Sequence, residues 1–233
     1  MDVHPSGSHL VAGYMNNYVI VWDLKKFKVY YCLDQTHHSE IQYVRFLSGV
    51  TPSVNIITSE SAGYIKKSFF KKGLFSMDPE VFPVLPTPTA DICSIAALHK
   101  RFSMPEQVKE WENVVAIASR EKFLIAQLDE HPRKMYQQKK HDFSDKRDLC
   151  YLDWGSSITP NNREESKCVL AVAWGRVLQL IVLEDPYKGL SGIKFDGFYL
   201  SDAPIDSVKF LSDSIIYILV KTKEARVLYA PNF

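Results

Sequence analysis

Residues 4–24 read His-Pro-Ser-Gly-Ser-His-Leu-Val-Ala-Gly-Tyr-Met-Asn-Asn-Tyr-Val-Ile-Val-Trp-Asp-Leu, and this segment is the most informative one for the fold. A polar Pro-Ser-Gly-Ser turn leads into an apolar strand at 10–13. A turn at 15–17 and a second apolar strand at 18–22 follow, and Asp23 ends the hairpin. An apolar hairpin that ends in Trp22-Asp23 is typical of the inner strands of a WD-type β-propeller blade. It predicts a repeat protein, a class that presents extended surfaces to partners.

A second pattern recurs four times downstream of this hairpin. It consists of an apolar residue, another three positions later, and a third two positions after that. The four sets are Ile41/Val44/Phe46, Ile92/Ile95/Ala97, Leu149/Leu152/Trp154 and Ile205/Val208/Phe210. Two apolar runs separated by a tight turn follow each set, at 55–59 with 64–70, 114–119 with 123–128, 169–174 with 177–183, and 215–220 with 225–229. We interpret each set as the innermost strand of a blade and the runs as its next two strands.

These repeats predict an all-β, WD40-like β-propeller that is partial, with three full blades and two incomplete ones. We place the blades at about 1–33, 34–88, 89–144, 145–200 and 201–233; the first lacks its innermost strand and the last its outermost. Because open sheet edges invite pairing with other chains, we expect this chain to be part of a larger propeller. The alternative is a small closed propeller in which the first blade borrows a strand from the last.

The repeats begin roughly 50–60 residues apart, further than the 40–45 residues of an ideal WD repeat. We expect the excess to lie in four loops, at 73–90, 99–113, 129–148 and 155–167. Within them, only residues 105–112 have a helical pattern, with Pro105 in the first turn.

The composition excludes several classes of function. A net charge of +1 over 233 residues argues against a nucleic-acid partner, which needs a concentrated basic surface. The four cysteines form no Cys-x-x-Cys pair, so we expect a reducing compartment without structural disulfides or bound metal. The longest apolar stretch, 169–183, is too short and too interrupted to span a bilayer. We therefore expect a cytoplasmic protein with no cofactor.

Motifs for catalysis do not occur in this sequence. There is no Gly-x-Ser-x-Gly elbow, no phosphate-binding loop and no His-Glu-x-x-His. We therefore predict that the protein is not an enzyme and has no catalytic residues. A propeller-fold hydrolase is the alternative, and it would need carboxylates and histidine to converge at one mouth of the central channel.

Candidate binding residues lie in the expected loops. Phe82 and Trp111 are the predicted anchors for a protein partner, although each could instead pack beneath its own loop. The match Pro83-Val84-Leu85-Pro86 could bind an aromatic groove, or it could belong to an edge strand. The cluster Lys66, Lys67, Lys71 and Lys72 could contact anionic lipid, or it could form a solvated turn.

Adjacent histidines at 37–38 could suggest a metal site, but neighbouring strand residues point to opposite faces. We predict a structural role, with His38 capping a blade turn. His38 and Ser59 match two positions of the His, Ser/Thr, Asp and Trp tetrad of ideal WD repeats, while the turn at 61–63 lacks the aspartate.

The order of these motifs resembles a known family. Ala12-Gly13-Tyr14 precedes Val21-Trp22-Asp23-Leu24, and His37-His38-Ser39-Glu40-Ile41 precedes Val44-Arg45-Phe46. The runs 113–119 and 169–175 follow, reading Asn-Val-Val-Ala-Ile-Ala-Ser and Val-Leu-Ala-Val-Ala-Trp-Gly. Together they resemble the N-terminal propeller of the vacuolar protein sorting protein eight family, over roughly residues 3–229.

This resemblance implies a function. Members of the family are subunits of the CORVET endosomal tethering complex, so we expect a scaffold in vesicle tethering and protein transport to the vacuole or lysosome. The implied partners are tethering-complex subunits and an early-endosomal Rab GTPase, through which the protein would be held peripherally on endosomes or late endosomes. The helical solenoid and RING domain of the family have no counterpart in these residues. A generic WD-repeat scaffold of another complex, in ubiquitin or RNA processing, is the alternative.

Overall fold

A computed structural model describes residues 1–34, 36–47, 54–70, 79–99, 113–129, 132–140, 145, 147–159, 162–184 and 192–229. Within these residues, nineteen strands form five antiparallel sheets, and each sheet is built from strands that are consecutive in the chain. The fold is therefore all-β and has the blade organisation of a propeller, as the repeats predict.

The five sheets have the following strands. The first contains β1 (Asp2–Val3), β2 (His9–Gly13), β3 (Val19–Asp23) and β4 (Lys28–Leu33); the second contains β5 (Ile41–Phe46), β6 (Val54–Glu60), β7 (Ile65–Phe70) and β8 (Pro79–Pro83). The third contains β9 (Ile92–Ala97), β10 (Val114–Ser119), β11 (Lys122–Gln127) and β12 (Arg133–Lys139). The fourth contains β13 (Cys150–Thr159), β14 (Asn162–Trp174), β15 (Val177–Leu183) and β16 (Ile193–Leu200), and the fifth contains β17 (Ile205–Ser212), β18 (Ile215–Val220) and β19 (Ala225–Tyr229).

The hydrophobic core is divided into four clusters, each between two neighbouring sheets. Val11 and Val21 of the first sheet pack with Phe46 and Ile56 of the second, and similar clusters join the second to the third, the third to the fourth and the fourth to the fifth. A middle sheet therefore buries both faces, which explains why runs such as 169–173 are apolar at every position.

Close approach between sheets depends on glycine at one position. Gly155 lies on β13, and a Cβ atom added there would come within 2.1 Å of the Phe210 ring of the next sheet. Only a residue without a side chain allows the fourth and fifth sheets to pack at this distance.

The structure corrects two details of the predicted blades. The first sheet contains the innermost strand that was predicted to be missing, although it is only the two-residue β1, paired as Asp2↔Val11 and Val3↔Leu10. Three predicted loops contain strand: β8 lies in 73–90, β12 lies in 129–148, and the β13–β14 hairpin extends through 155–159 and 162–167. Edge strands such as β8 and β12 are polar or contain proline because one edge faces solvent, so they lack the apolar pattern of inner strands. The predicted helix at 105–112 lies outside the described residues.

None of the described residues forms a helix long and apolar enough to cross a membrane.

Candidate interaction surfaces

The innermost strands of all five sheets border one central cavity of about 420 Å³. Its wall is polar and mixed in charge, with Asp2, Arg45, His99, Asp153 and Lys209 among the lining residues. Two carboxylates and a histidine therefore line one cavity, which is the arrangement that the hydrolase alternative requires.

Both carboxylates, however, act as acceptors between sheets. Asp2 Oδ2 accepts the backbone N–H of Phe46 at 2.9 Å, and Asp153 Oδ2 accepts that of Phe210 at 2.8 Å. Asp153 Oδ1 also lies 3.0 Å from Lys209 Nζ. Phe46 and Phe210 hold the same third position in their repeated sets, so one kind of hydrogen bond joins the first sheet to the second and the fourth to the fifth. This role could not be predicted from the sequence, because nothing in the sequence of an inner strand shows which group an aspartate will contact.

Other polar contacts join the middle sheets around the cavity. Tyr43 Oη donates to the carbonyl of Cys93 at 2.6 Å, from the second sheet to the third. Trp154 Nε1 donates to the carbonyl of Ala96 at 3.0 Å, from the fourth sheet back to the third. These bonds fix the relative positions of the innermost strands β1, β5, β9, β13 and β17, which we call the hub. The hub is therefore a rigid frame for the outer strands. Among the described residues, no group of three His, Cys, Asp or Glu side chains is placed to hold a metal ion.

Glu60, at the end of β6, has a fully buried carboxylate. Its Oε2 accepts the backbone N–H groups of His38 at 2.8 Å and Ser39 at 2.9 Å, as well as the Ser39 hydroxyl at 3.1 Å. Its Oε1 lies 3.1 Å from Lys66 Nζ on β7. One carboxylate therefore ties the loop before β5 to β6 and β7.

The buried histidine of this site is His37, so the prediction that the His38 side chain caps the turn is wrong. The His38 side chain is exposed, whereas His37 is buried, with Nε2 3.2 Å from Thr58 Oγ1 and Nδ1 3.8 Å from Glu60 Oε1. Thr58 replaces the predicted Ser59 as the hydroxyl partner. Neighbouring residues on an extended chain face opposite sides, so a His-His or Thr-Ser pair does not show which member points inward.

Burial sets the protonation states at this site. It lowers the pKa of His37 to about 4, and the nearby Lys66 ammonium adds to this shift. Burial alone would raise the pKa of Glu60, but the His38 N–H and the Lys66 ammonium outweigh it, and the pKa of Glu60 is lowered. At neutral pH the site therefore holds a neutral imidazole and an ionised carboxylate.

The predicted lysine cluster makes contacts within the protein. Besides its ion pair with Glu60, Lys66 donates to the carbonyl of Thr36, and Lys67 donates to the carbonyl of Leu128 in the next sheet. Burial lowers the pKa of Lys67, against the opposing effect of Asp129. Lys71 and Lys72 lie outside the described residues. The two described lysines thus have structural partners.

Phe82, one of the two predicted anchors, lies on the edge strand β8 and is 47% exposed. It borders a groove of about 510 Å³ between the second and third sheets, together with Phe69, Pro83, Asp129 and Pro132. Trp111, the other predicted anchor, lies outside the described residues.

The Pro-x-x-P match belongs to the sheet and not to a free ligand segment. Pro83 ends β8, and the next residue, Val84, is buried in the core with its N–H donated to the carbonyl of Ile65 at 2.8 Å.

A third surface, which the sequence analysis missed, lies on the outermost strand of the fourth sheet. Phe195, Phe198 and Leu200 of β16, which we call the β16 stripe, are 58%, 60% and 60% exposed. The stripe borders a groove of about 700 Å³ whose other apolar residues are Val177 and Pro204. No strand was predicted here from the sequence, because β16 follows a long segment without apolar periodicity.

Comparison with known proteins gives the following matches. A sequence profile described as the Vps8 β-propeller matches residues 1–232. None of the curated proteins compared matches the chain. The crystal structure of BBS1N in complex with ARL6DN, soaked with mercury, superposes with a TM-score of 0.63 over 96% of this chain, at 9% sequence identity; the chain spans 61% of the length of that solved chain. At this identity the likeness shows the fold alone.

Proposed function

Because the chain belongs to the Vps8 β-propeller family, we propose that it is a non-catalytic, protein-binding scaffold in vesicle tethering on the route to the vacuole or lysosome. The observation that carries this proposal is the family match over residues 1–232. The rigid hub supports it, because such a frame can display outer strands and loops to partners without moving itself.

A more specific proposal concerns the binding partners of the protein and its location in the cell. We propose that the protein acts in the CORVET complex, contacts an early-endosomal Rab GTPase and is held peripherally on endosomes through these partners. Strands β8 and β16 border grooves and carry exposed phenylalanine side chains, and aromatic residues commonly anchor protein interfaces.

A pull-down tests the Rab partner. We expect the gene product that carries residues 1–232 to be retained by an early-endosomal Rab loaded with a non-hydrolysable GTP analogue. The same Rab loaded with GDP, and a Golgi Rab in either state, should retain at most background amounts. Equal retention in both nucleotide states would contradict the Rab proposal, because effectors recognise switch segments that are ordered by the γ-phosphate.

A second candidate function, hydrolysis, rests on the presence of Asp2, His99 and Asp153 in one cavity. Their use as backbone acceptors favours a structural role for the two aspartates. We expect no turnover of chromogenic ester, glycoside and phosphate substrates above the buffer blank. Turnover that Asp153→Asn abolishes in a protein with an unchanged circular dichroism spectrum would instead favour the hydrolase.

A further inference from the structure

The β16 stripe depends on a bulge that places two phenylalanines on one face. In a regular strand, residues three apart point to opposite faces, so Phe195 and Phe198 would be separated. Here Phe195 pairs with Ile181 and Gly197 pairs with Leu180, which leaves Asp196 without a partner residue on β15. The extra residue reverses the alternation, and the two rings stack with centroids 6.5 Å apart. Bulges that re-aim side chains in this way often accompany functional sites.

The stripe continues along the strand at regular spacing. Phe198 pairs with Gln179 and Leu200 pairs with Val177, and Gln179, Val177 and Ile181 all lie on one face of β15. Three large apolar side chains thus form a row on one face, each more than half exposed. Exposed aliphatic and aromatic residues in a contiguous row mark interaction sites in soluble proteins.

The second half of β16 lacks the proline and charge that protect two of the other described outermost strands, β8 and β12. Proline stands at both ends of β8, and β12 contains Arg133, Lys134 and Lys139. In β4, the two tyrosines pack inward, with Tyr30 against His9 and Tyr31 against Phe70. The second half of β16, residues 197–200, contains neither a charge nor a proline. Proline, charge and bulges are the usual means by which edge strands avoid pairing with other chains, and β16 has charge and a bulge only in its first half, at Lys194 and Asp196.

The groove beside the stripe is apolar along the strand, and its charged residues are balanced at one end. Lys221 Nζ lies 3.6 Å from Asp148 Oδ1, and Arg176 Nε donates to the carbonyl of Ser201 at 2.8 Å. The lining contains two cations, Arg176 and Lys221, and two carboxylates, Asp145 and Asp148, whose formal charges cancel, so the groove favours neither an acidic nor a basic ligand.

We propose that β16 is a docking site for an extended, uncharged segment of a partner protein, which adds a strand at this edge and places apolar side chains at alternate positions against Phe195, Phe198 and Leu200. Among the described strands, none pairs with the outer edge of β16, and such an edge matches an extended chain. The bulge brings Phe195 into line with Phe198 and Leu200, and this row matches the alternating side chains of a β-strand. This proposal rests on the proposed scaffold function. It adds to that function one binding surface and the chemical class of its ligand.

A phage-displayed library of random 12-residue peptides, panned on the purified protein, tests this proposal. We expect enrichment of peptides with Val, Ile, Leu, Phe or Tyr at alternate positions and no net charge. The best peptide, made synthetically, should bind Phe198→Asp and Leu200→Asp at least tenfold more weakly than it binds the unaltered protein. Both side chains are 60% exposed, and unchanged circular dichroism spectra would verify folding. The matched control is Val29→Asp, which changes an exposed apolar residue on the outermost strand β4 and should bind normally.

Hydrogen exchange distinguishes strand addition from simple contact. Bound peptide should slow exchange of β16 amides at least tenfold and leave the amides of β4 unchanged. The proposal is overturned by any of three results: no enrichment over the starting library, equal binding to Phe198→Asp, or a dimer of the free protein that Phe198→Asp converts to monomer. The last result would assign the stripe to a second copy of this chain. Peptide binding by the purified protein does not depend on which cellular complex contains it. The docking proposal can therefore be wrong while the proposed role in vesicle tethering is right, and the reverse.

Discussion

Glu60 is a buried carboxylate on β6 whose partners come from two other segments, the loop before β5 and strand β7. Replacing it by glutamine removes the charge that pairs with Lys66 and one of the two acceptor oxygens of a fully buried carboxylate. We expect Glu60→Gln to lower the free energy of unfolding by about 2–4 kcal/mol, measured by urea denaturation. The control is Glu40→Gln, which alters an exposed carboxylate in the same loop and should change stability by less than about 0.5 kcal/mol. Equal effects of the two substitutions would contradict this role for Glu60.

His37 predicts a dependence of stability on pH. Its pKa is about 4 in the folded protein against 6.5 for an ordinary histidine, so folding favours the neutral form. The stabilisation is complete above pH 6.5 and is lost as the pH falls toward 4, where the folded protein must also take up the proton. We expect this loss to reach about 3 kcal/mol. Below pH 4.5, protonation of Glu60 adds to it, since its pKa is also lowered.

A pair of variants isolates this effect from the other histidines. We expect His37→Gln to reduce the fall in unfolding free energy between pH 6.5 and 4, while the exposed control His38→Gln keeps the full fall. Urea denaturation at closely spaced pH values provides the measurement. An undiminished fall in His37→Gln would exclude His37 as its source.

The site around Glu60 also shows which contacts could not be predicted from the sequence. The sequence predicted a structural histidine in 37–38 and a hydroxyl partner in β6, but it chose the wrong member of each pair, because two adjacent positions differ only in the face they take. Glu60 was missed because a strand-end glutamate ordinarily lies in solvent, and only the tertiary fold shows that it is enclosed.

At the scale of strands, the contact between Gly155 and Phe210 is testable by a pair of substitutions. Gly155→Ala would place a methyl group within the Phe210 ring, so the fourth and fifth sheets would have to separate. We expect a loss of about 1–3 kcal/mol in the free energy of unfolding. Gly155→Ala combined with Phe210→Leu should recover part of this loss, because the smaller side chain makes room. Additive losses in the double variant would contradict direct contact between these two positions.

The inner strands were predictable and the outermost strands were not. Inner strands such as β10 and β14 are covered on both faces by other sheets, so their apolar runs are unambiguous. The outermost strands β8, β12 and β16 lie at sheet edges and are less covered; β8 and β12 fall in segments predicted to be loops, and no strand was predicted at β16. The surfaces proposed for binding lie on these strands, which is why Phe82 was identified only as a loop residue and the β16 stripe was not identified.

At the scale of the whole molecule, the two terminal sheets each present an apolar face without a neighbouring sheet in the described residues. Leu10, Ile20 and Trp22 are half-buried on the face of the first sheet that points away from the second. Ile215, Tyr217 and Leu219 are half-buried on the corresponding face of the fifth sheet. We propose that further blades cover these faces in a larger propeller.

This proposal predicts the behaviour of residues 1–233 produced alone. We expect concentration-dependent self-association in size-exclusion chromatography with light scattering, since large exposed apolar faces associate in water. Tyr217→Lys should shift the equilibrium toward monomer, whereas Lys223→Glu, at an exposed position in the same sheet, should not. A compact, protease-resistant monomer at all concentrations would contradict the larger propeller.

The proposed role as a tethering scaffold is a claim that the partners of the protein in the cell can test. The measurement is quantitative mass spectrometry of proteins that co-precipitate with the tagged gene product from its native cells, against untagged cells. We predict that subunits of an endosomal tethering complex and an early-endosomal Rab are the most enriched proteins. Enrichment of ubiquitin-system or RNA-processing proteins without any tethering subunit would contradict the claim.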